Sequence, residues 1–411
     1  MLMPKLWLGI AIAVPLFASG GGATFDAKVN RFTDNNGVWS KAAEWSLNLP
    51  LDENKEWTVG WDQEVDAVTG ASRFLGSKDP MAEAANASIL DAIPREDGRS
   101  GASVASNVPV DGTTGATVNG GRKVELRASE SFKAGFSREG RGGGLVFAMS
   151  HESDYVSYAP GAYLSWDFNE RNTTLGFSYS HNFDDFIGNP PLAPGGKKNI
   201  DSYQLTLAQS WTATTLTSMG AHWMASQGYL GHPYTPVYTQ TGTMLTEVVP
   251  DRKNALALSA AMVQGITWND ILKASLQLDG RYYDDSWGLN SATVDFKVLY
   301  YLYEGAYVRL RTRYYDQSGA NFARPVYGGG ERYRTADIRF YPFHSWTFGG
   351  KVSIPFRESW VEWSRLVPNS VNFSYDYCTR NTYGDLERYQ FYAPDETYHQ
   401  GLWVLGIRYA F

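Results

Sequence analysis

Three copies of one short pattern stand between residues 66 and 117, each ending in a hydroxyl. Asp66-Ala67-Val68-Thr69-Gly70-Ala71-Ser72 is the first. Asp97-Gly98-Arg99-Ser100-Gly101-Ala102-Ser103 is the second, and Asp111-Gly112-Thr113-Thr114-Gly115-Ala116-Thr117 the third. All fit Asp-x-x-Ser/Thr-Gly-Ala-Ser/Thr. The closing hydroxyl is a nucleophile for phosphoryl transfer, a reaction that demands close, in-line approach. Gly and Ala just before it let the backbone enter a narrow cleft without a bulky side chain in the way. Asp-Gly-x-x-Gly strings also make plain turns. At average residue frequencies, however, even one match is expected in fewer than about one in a hundred chains of this length. Asp316-Gln317-Ser318-Gly319-Ala320 has related composition but the wrong spacing, and reads as an ordinary turn.

The pattern resembles the acceptor motif of the periplasmic FMN transferases of the ApbE type, found on flavin-bearing subunits of sodium-pumping quinone reductases and related redox proteins. The resemblance implies FMN joined through its phosphate to the last hydroxyl of each copy. Carried over residue by residue, the attachment points are Ser72, Ser103 and Thr117, so up to three covalent FMN groups are expected. Asp66, Thr69, Gly70 and Ala71, then Asp97, Ser100, Gly101 and Ala102, then Asp111, Thr114, Gly115 and Ala116 are the recognition positions. Two copies depart from the pattern by ending in Ser, whereas Thr is the commoner acceptor.

The elements that carry these tags read as strands. Hydrophobic residues make up 43% of the 411, aromatics 15% and charged residues 19%, with 41 Gly. That is poor in charge and rich in aromatics against globular averages of about 25% charged. No internal run approaches the roughly 20 apolar residues of a spanning helix. From about residue 122 onward, segments of roughly ten residues alternate in polarity between turn-rich gaps, the pattern of a transmembrane β-barrel. In 272–282, Leu272, Ala274, Leu276, Leu278, Gly280 and Tyr282 share one face, opposite Lys273, Ser275, Gln277, Asp279 and Arg281. In 305–315, Val308, Leu310, Thr312 and Tyr314 oppose Arg309, Arg311 and Arg313. The last segment puts Trp403, Leu405, Ile407, Tyr409 and Phe411 on one face, which resembles the terminal signal of bacterial outer-membrane barrels. A soluble sandwich would use the same alternation in reverse, apolar side inward.

The expected fold is therefore all-β: a transmembrane antiparallel barrel of about 16 strands with a luminal or periplasmic plug-like insert. Residues 1–23 read as a secretory signal, with Lys5 before the apolar run Leu6–Phe17 and small residues at Gly21–Ala23. Residues 24–67 hold an N-terminal segment and the first strands, near 37–49 and 54–67. Residues 68–121 form the Gly/Ala/Ser-rich insert, and 122–411 the remainder of the barrel. Counting strands this way raises a conflict. It puts the long insert at the same end as the chain termini and tight turns at Trp268-Asn269 and His344-Ser345 at the other, whereas barrels keep short turns on the periplasmic side.

The single Cys378 excludes a disulfide framework and a zinc-cysteine site. The net charge of −7 comes without a basic arm for nucleic acid. The six histidines show no ligand spacing, and no nucleophile–base triad stands out, so neither catalytic residues nor a metal site is expected. The polar faces of 305–315 and 331–341 offer Arg309, Arg311, Arg313 and Arg339 beside Asp337. These serve either flavin phosphates or simply a hydrated lumen. Early motif and terminal strand together resemble a family of predicted outer-membrane barrels that accompany a flavin transferase and a small lipoprotein. What this implies is a barrel in the bacterial outer membrane that carries covalent FMN and conducts electrons across it, an electron-transfer protein more than an enzyme. Its partners would be outer-membrane lipid, a periplasmic FMN transferase, a periplasmic electron donor and a small lipoprotein. The alternative is a passive porin, or a platform for a partner lipoprotein without redox activity.

Overall fold

The computed structural model describes residues 23–34, 39–69, 124–152, 155–186, 195–231, 237–239, 241, 244–269, 271–302, 305–324, 327–335, 337–356, 368–382 and 398–410. The signal segment and residues 70–123 of the insert lie outside the described residues. The strands are β1 (Thr24–Asp34), β2 (Trp39–Pro50), β3 (Trp57–Thr69), β4 (Val124–Arg138), β5 (Arg141–His151) and β6 (Tyr155–Phe168). There follow β7 (Thr173–Phe186), β8 (Gly196–Thr212), β9 (Thr215–Gly228), and the short pair β10 (Val237–Tyr238) and β11 (Met244–Leu245). The remainder are β12 (Arg252–Trp268), β13 (Ile271–Asp285), β14 (Asn290–Tyr301), β15 (Tyr307–Gln317), β16 (Phe343–Pro355), β17 (Ser370–Thr382) and β18 (Tyr398–Ala410). All but β10 and β11 join one closed antiparallel barrel of sixteen strands, sealed where β1 pairs with β18 from Thr24↔Ala410 to Asp34↔Gln400.

Closure follows from the alternation, and its sense separates a barrel in lipid from a sandwich in water. On β14, Ser291, Thr293 and Asp295 are buried while Val294 and Phe296 between them are exposed. The apolar set faces out, and it does so around the wall. Leu145, Met219 and Leu310 are each more than 60% exposed (68%, 62% and 63%), which water would penalise by roughly 1.5–3 kcal/mol per side chain. Lipid removes that cost. Trp57, Trp211 and Trp268 stand exposed where their strands meet the short turns, the position of an interfacial aromatic girdle. Among the described residues no helix is long and apolar enough to cross a membrane; the chain crosses with strands.

Sixteen strands were expected, but not these sixteen. β1 lies ahead of the first strand expected at 37–49, and 331–341 is not a strand. There the chain makes an irregular loop with one 3-10 turn, Ile338–Phe340. His344 and Ser345, expected in a turn, pair inside β16 with Asn381 and Arg380. One strand missed and one added leave the total unchanged and reverse the sense of every strand from 37 to 330. The conflict over the insert and the Trp268-Asn269 turn then disappears. Both termini and the tight connections 139–140, 169–172, 213–214 and 269–270 share one end. At Glu139–Gly140 both residues have positive φ (51° and 76°), which matches the twist of the strands they join. The longest connections, 229–251, 318–342 and the insert, share the opposite end, which is the external end if this barrel follows the usual arrangement; 356–369 is the one connection of more than ten residues at the short-turn end. The insert's junction, between Thr69 and Val124, lies at the end away from the start of β1 and the end of β18.

Candidate functional site on the inner wall

The first tag begins inside the wall of the barrel. Asp66 lies on β3, three residues before its end at Thr69, and pairs in register with Arg127 on β4. Arg127 Nη2 donates to Asp66 Oδ2 at 2.5 Å and lies 3.3 Å from Glu64 Oε1. The Arg127, Asp66 and Glu64 side chains are 10%, 3% and 4% exposed, so this inward triad is a buried ion network. Two residues below, Asp62 accepts from Ser131 Oγ at 2.9 Å and pairs with Lys133 Nζ at 2.8 Å. Thr69 and Val124 are register partners, so the insert leaves and re-enters at one point on the rim. Gly70, Ala71 and Ser72 of the first copy lie outside the described residues. So do all of the second and third copies, including Asp97, Ser100, Gly101, Ala102, Ser103, Asp111, Thr114, Gly115, Ala116 and Thr117.

The far wall is basic. Arg309, Arg311 and Arg313 alternate on β15 with the exposed Leu310 and so face inward. Asp295 grips Arg311 in a fork: Nη2 donates to Oδ2 at 2.6 Å and Nε to Oδ1 at 3.1 Å. Asp376 Oδ2 takes Nη1 at 3.2 Å. This contact depends on Gly349, because a Cβ there would run into the Asp376 carboxylate. Lys297 Nζ meets Asp279 Oδ2 at 3.1 Å. Sequence reasoning found the three arginines. It did not single out Asp295, Asp376, Lys297 or Lys351, although all of them occupy the alternate polar positions that signalled the arginines.

Arg339, expected on the same wall, is instead part of a loop structure at the long-loop end. It pairs with Asp337, its Nε 2.7 Å from Oδ2. The inward Gln317 donates to the carbonyls of Arg339 and Tyr341, both at 2.7 Å, tying this loop to the wall. Tyr327 is buried against Val237 and Leu245. Its hydroxyl accepts the Arg324 and Thr335 amides at 3.0 and 2.9 Å and has its one proton within reach of the Thr335 and Phe322 carbonyls, at 2.8 and 2.9 Å. Thr335 donates to Glu247, and Arg334 Nε to the Thr246 carbonyl at 2.8 Å. The 229–251 and 318–342 connections therefore pack as one unit. Among the described residues no cluster of three metal-ligating side chains is present.

The family model described as "Protein of unknown function (DUF3570)" matches residues 11–193 and 187–392. The chain belongs to the DUF3570 family. No curated protein matches the DUF3570 chain by sequence. Solved structures similar to it include a bacterial polysaccharide outer membrane secretin, at 7% identity and a TM-score of 0.47, covering 95% of this chain and 99% of that one. CdiB from Acinetobacter baumannii matches at 8% identity and 0.48, covering 94% and 60%. OccK2 (OpdF) of Pseudomonas aeruginosa, solved with glucuronate, matches at 9% and 0.42, covering 95% and 98%. At these levels the likenesses carry no functional information. The location of this DUF3570 protein follows from its own build: a closed, even-numbered antiparallel barrel with an apolar exterior and aromatic rim is a protein of the bacterial outer membrane.

Proposed function

We propose that this barrel carries FMN on the hydroxyls of Ser72, Ser103 and Thr117 and passes electrons across the outer membrane. The observation that carries the reading is the threefold pattern that starts at the end of β3 and runs through the connection that follows it in a closed barrel. The hydrocarbon core is about 30 Å thick, too far for one electron hop, and several redox groups in series divide that distance. FMN supplies a group that accepts and returns electrons. The chain supplies insulation, position and charge. Arg311 and Arg313 suit a phosphoryl or flavin anion near the wall, since a guanidinium offers a planar set of donors. The buried Asp66–Arg127 pair constrains the order of events. A transferase that reads Asp66 must act on the chain in the periplasm before β3 and β4 pair, because afterwards the carboxylate is held inside the wall. The partners in this reading are that transferase, a periplasmic donor and a small lipoprotein.

The test is co-expression with a periplasmic FMN transferase, followed by intact-mass measurement. The mass should rise by one FMN phosphoester per occupied hydroxyl, and Thr117→Ala should remove one increment. An unchanged mass contradicts the reading. The second reading, a passive diffusion channel, is favoured by the charged inner wall and would then take its place.

A further inference from the structure

The cations of the far wall exceed the carboxylates that meet them. Arg309, Arg311 and Arg313 recur every second residue along β15, about 6.6–6.8 Å apart. Lys351 on β16 lies directly across from Arg309 in register, and like charges so placed repel. Arg281 on β13 shares the inward face with Asp279. Asp279 is engaged by Lys297, and Asp295 and Asp376 by Arg311. Among the described residues no carboxylate forms an ion pair with Arg281, Arg313 or Lys351. The wall around β3 has the opposite bias, with Asp62, Glu64 and Asp66 facing Arg127 and Lys133. The lumen thus has a positive side and a negative side, and low-dielectric walls focus the field between them.

We propose that the inner wall from β13 to β16 is a binding strip for small diffusible oxyanions, carboxylates and phosphates, with Arg313 and Lys351 as its principal ligands. This needs no modified hydroxyl; it shares Arg313 with the flavin reading, and comparing protein made with and without an FMN transferase separates the two. The bound anion supplies Lys351 with a counter-charge and adds to the one that Arg313 shares, since Asp295, its partner across the strands, is held in the Arg311 fork.

The chain contains its own reporter. Cys378 is the single cysteine, is partly exposed, and stands in one cross-strand row with Arg313 and Thr347. The full-length protein in detergent is treated with two thiosulfonate reagents of similar size, one ending in a sulfonate and one in a trimethylammonium group. Each rate is divided by that reagent's rate with a small free thiol, which removes the reagents' own difference and the thiolate's bias toward the cation. The sulfonate reagent should react at least about tenfold faster, the lower end of electrostatic focusing in a charged cleft. In 1 M salt, where the screening length falls to about 3 Å, the ratio should approach one. Arg313→Gln and Lys351→Gln should each lower it severalfold, and millimolar inorganic phosphate should slow the sulfonate reagent selectively. Heat-modifiable gel mobility verifies that each variant is a closed barrel. Equal rates, faster reaction with the cation, or a ratio unchanged in both variants overturns the proposal. The assay is run on protein made with and without an FMN transferase. Preference in both supports a diffusible ligand. Preference lost on flavin loading assigns the strip to a tethered phosphate and overturns that part.

Discussion

Asp66 is asked to do two things, and they fall at different times. In the proposed reading it is the first residue of an acceptor motif while the chain is unfolded; in the barrel it is one anion of a buried triad with Glu64 and Arg127. Removing one member of such a group leaves an unbalanced charge, at a cost of roughly 3–5 kcal/mol when burial is complete. Water in the lumen puts this case near 3 kcal/mol by the same rule. Arg127→Ala should therefore lower the denaturant midpoint clearly while leaving the mass increment at Ser72 intact. Asp66→Ala should lose both. If Arg127→Ala also abolishes the increment, recognition needs the folded junction. Gly349 is the other residue whose identity is dictated locally. Gly349→Ala pushes Asp376 off Arg311, and overpacking of this kind costs about 1–3 kcal/mol. The same variant should raise the anion preference at Cys378, because Arg311 loses one of its two carboxylates. A fall in that preference would contradict the pairing described.

At the scale of elements, legibility depended on regular alternation. β13, β15 and β18 alternate over their length, and each was read close to its observed span. β1 alternates from Thr24 to Asn30, but over seven residues only, before Arg31 turns out and Phe32 in, so its periodic stretch is shorter than those of β13, β15 and β18. The 331–341 segment alternates charge and ring well enough to imitate a strand. It is held instead by irregular bonds: Arg334 exchanges both backbone bonds with Val248, and the Glu331 carboxylate accepts the amides of Gly328 and Gly329 at 2.8 and 2.9 Å. Sequence periodicity does not register such local bonds. Those amides hold the Glu331 carboxyl below its ordinary value of 4.5. A depressed native value stabilises the loop fully above the unfolded pKa, fades below it, and is lost as pH falls through the native one. Protection of the Gly328 and Gly329 amides, corrected for intrinsic exchange, should thus hold at neutral pH and drop in acid. Glu331→Gln should abolish the pH dependence. Tyr327→Phe should loosen the whole 229–251 and 318–342 unit, since its hydroxyl accepts the Arg324 and Thr335 amides and has its proton within reach of the Thr335 and Phe322 carbonyls. Loss of a buried partner costs about 1–3 kcal/mol. Selective proteolysis of these connections in the variant would register it.

For the whole molecule, the parity of the strands decides which way the barrel faces. The sequence conveyed sixteen strands and an outward apolar belt, because both follow from local alternation. It did not convey orientation, because one strand too few at the start and one too many near 331–341 cancel in the count but not in direction. With both termini at the short-turn end, an epitope placed in the β2–β3 turn after Glu53 should be hidden from antibody on intact cells. One placed in the 229–251 connection should be reached. The reverse result would invert the barrel.

The conduit itself is tested most directly in sealed proteoliposomes holding a reduced viologen dye inside and a bulky acceptor outside, too large to enter the lumen. With protein loaded by an FMN transferase, the dye should be oxidised, and Ser72→Ala, Ser103→Ala and Thr117→Ala combined should stop it. Equal oxidation by the unmodified barrel, or none by the loaded one, would contradict electron transfer through tethered flavins.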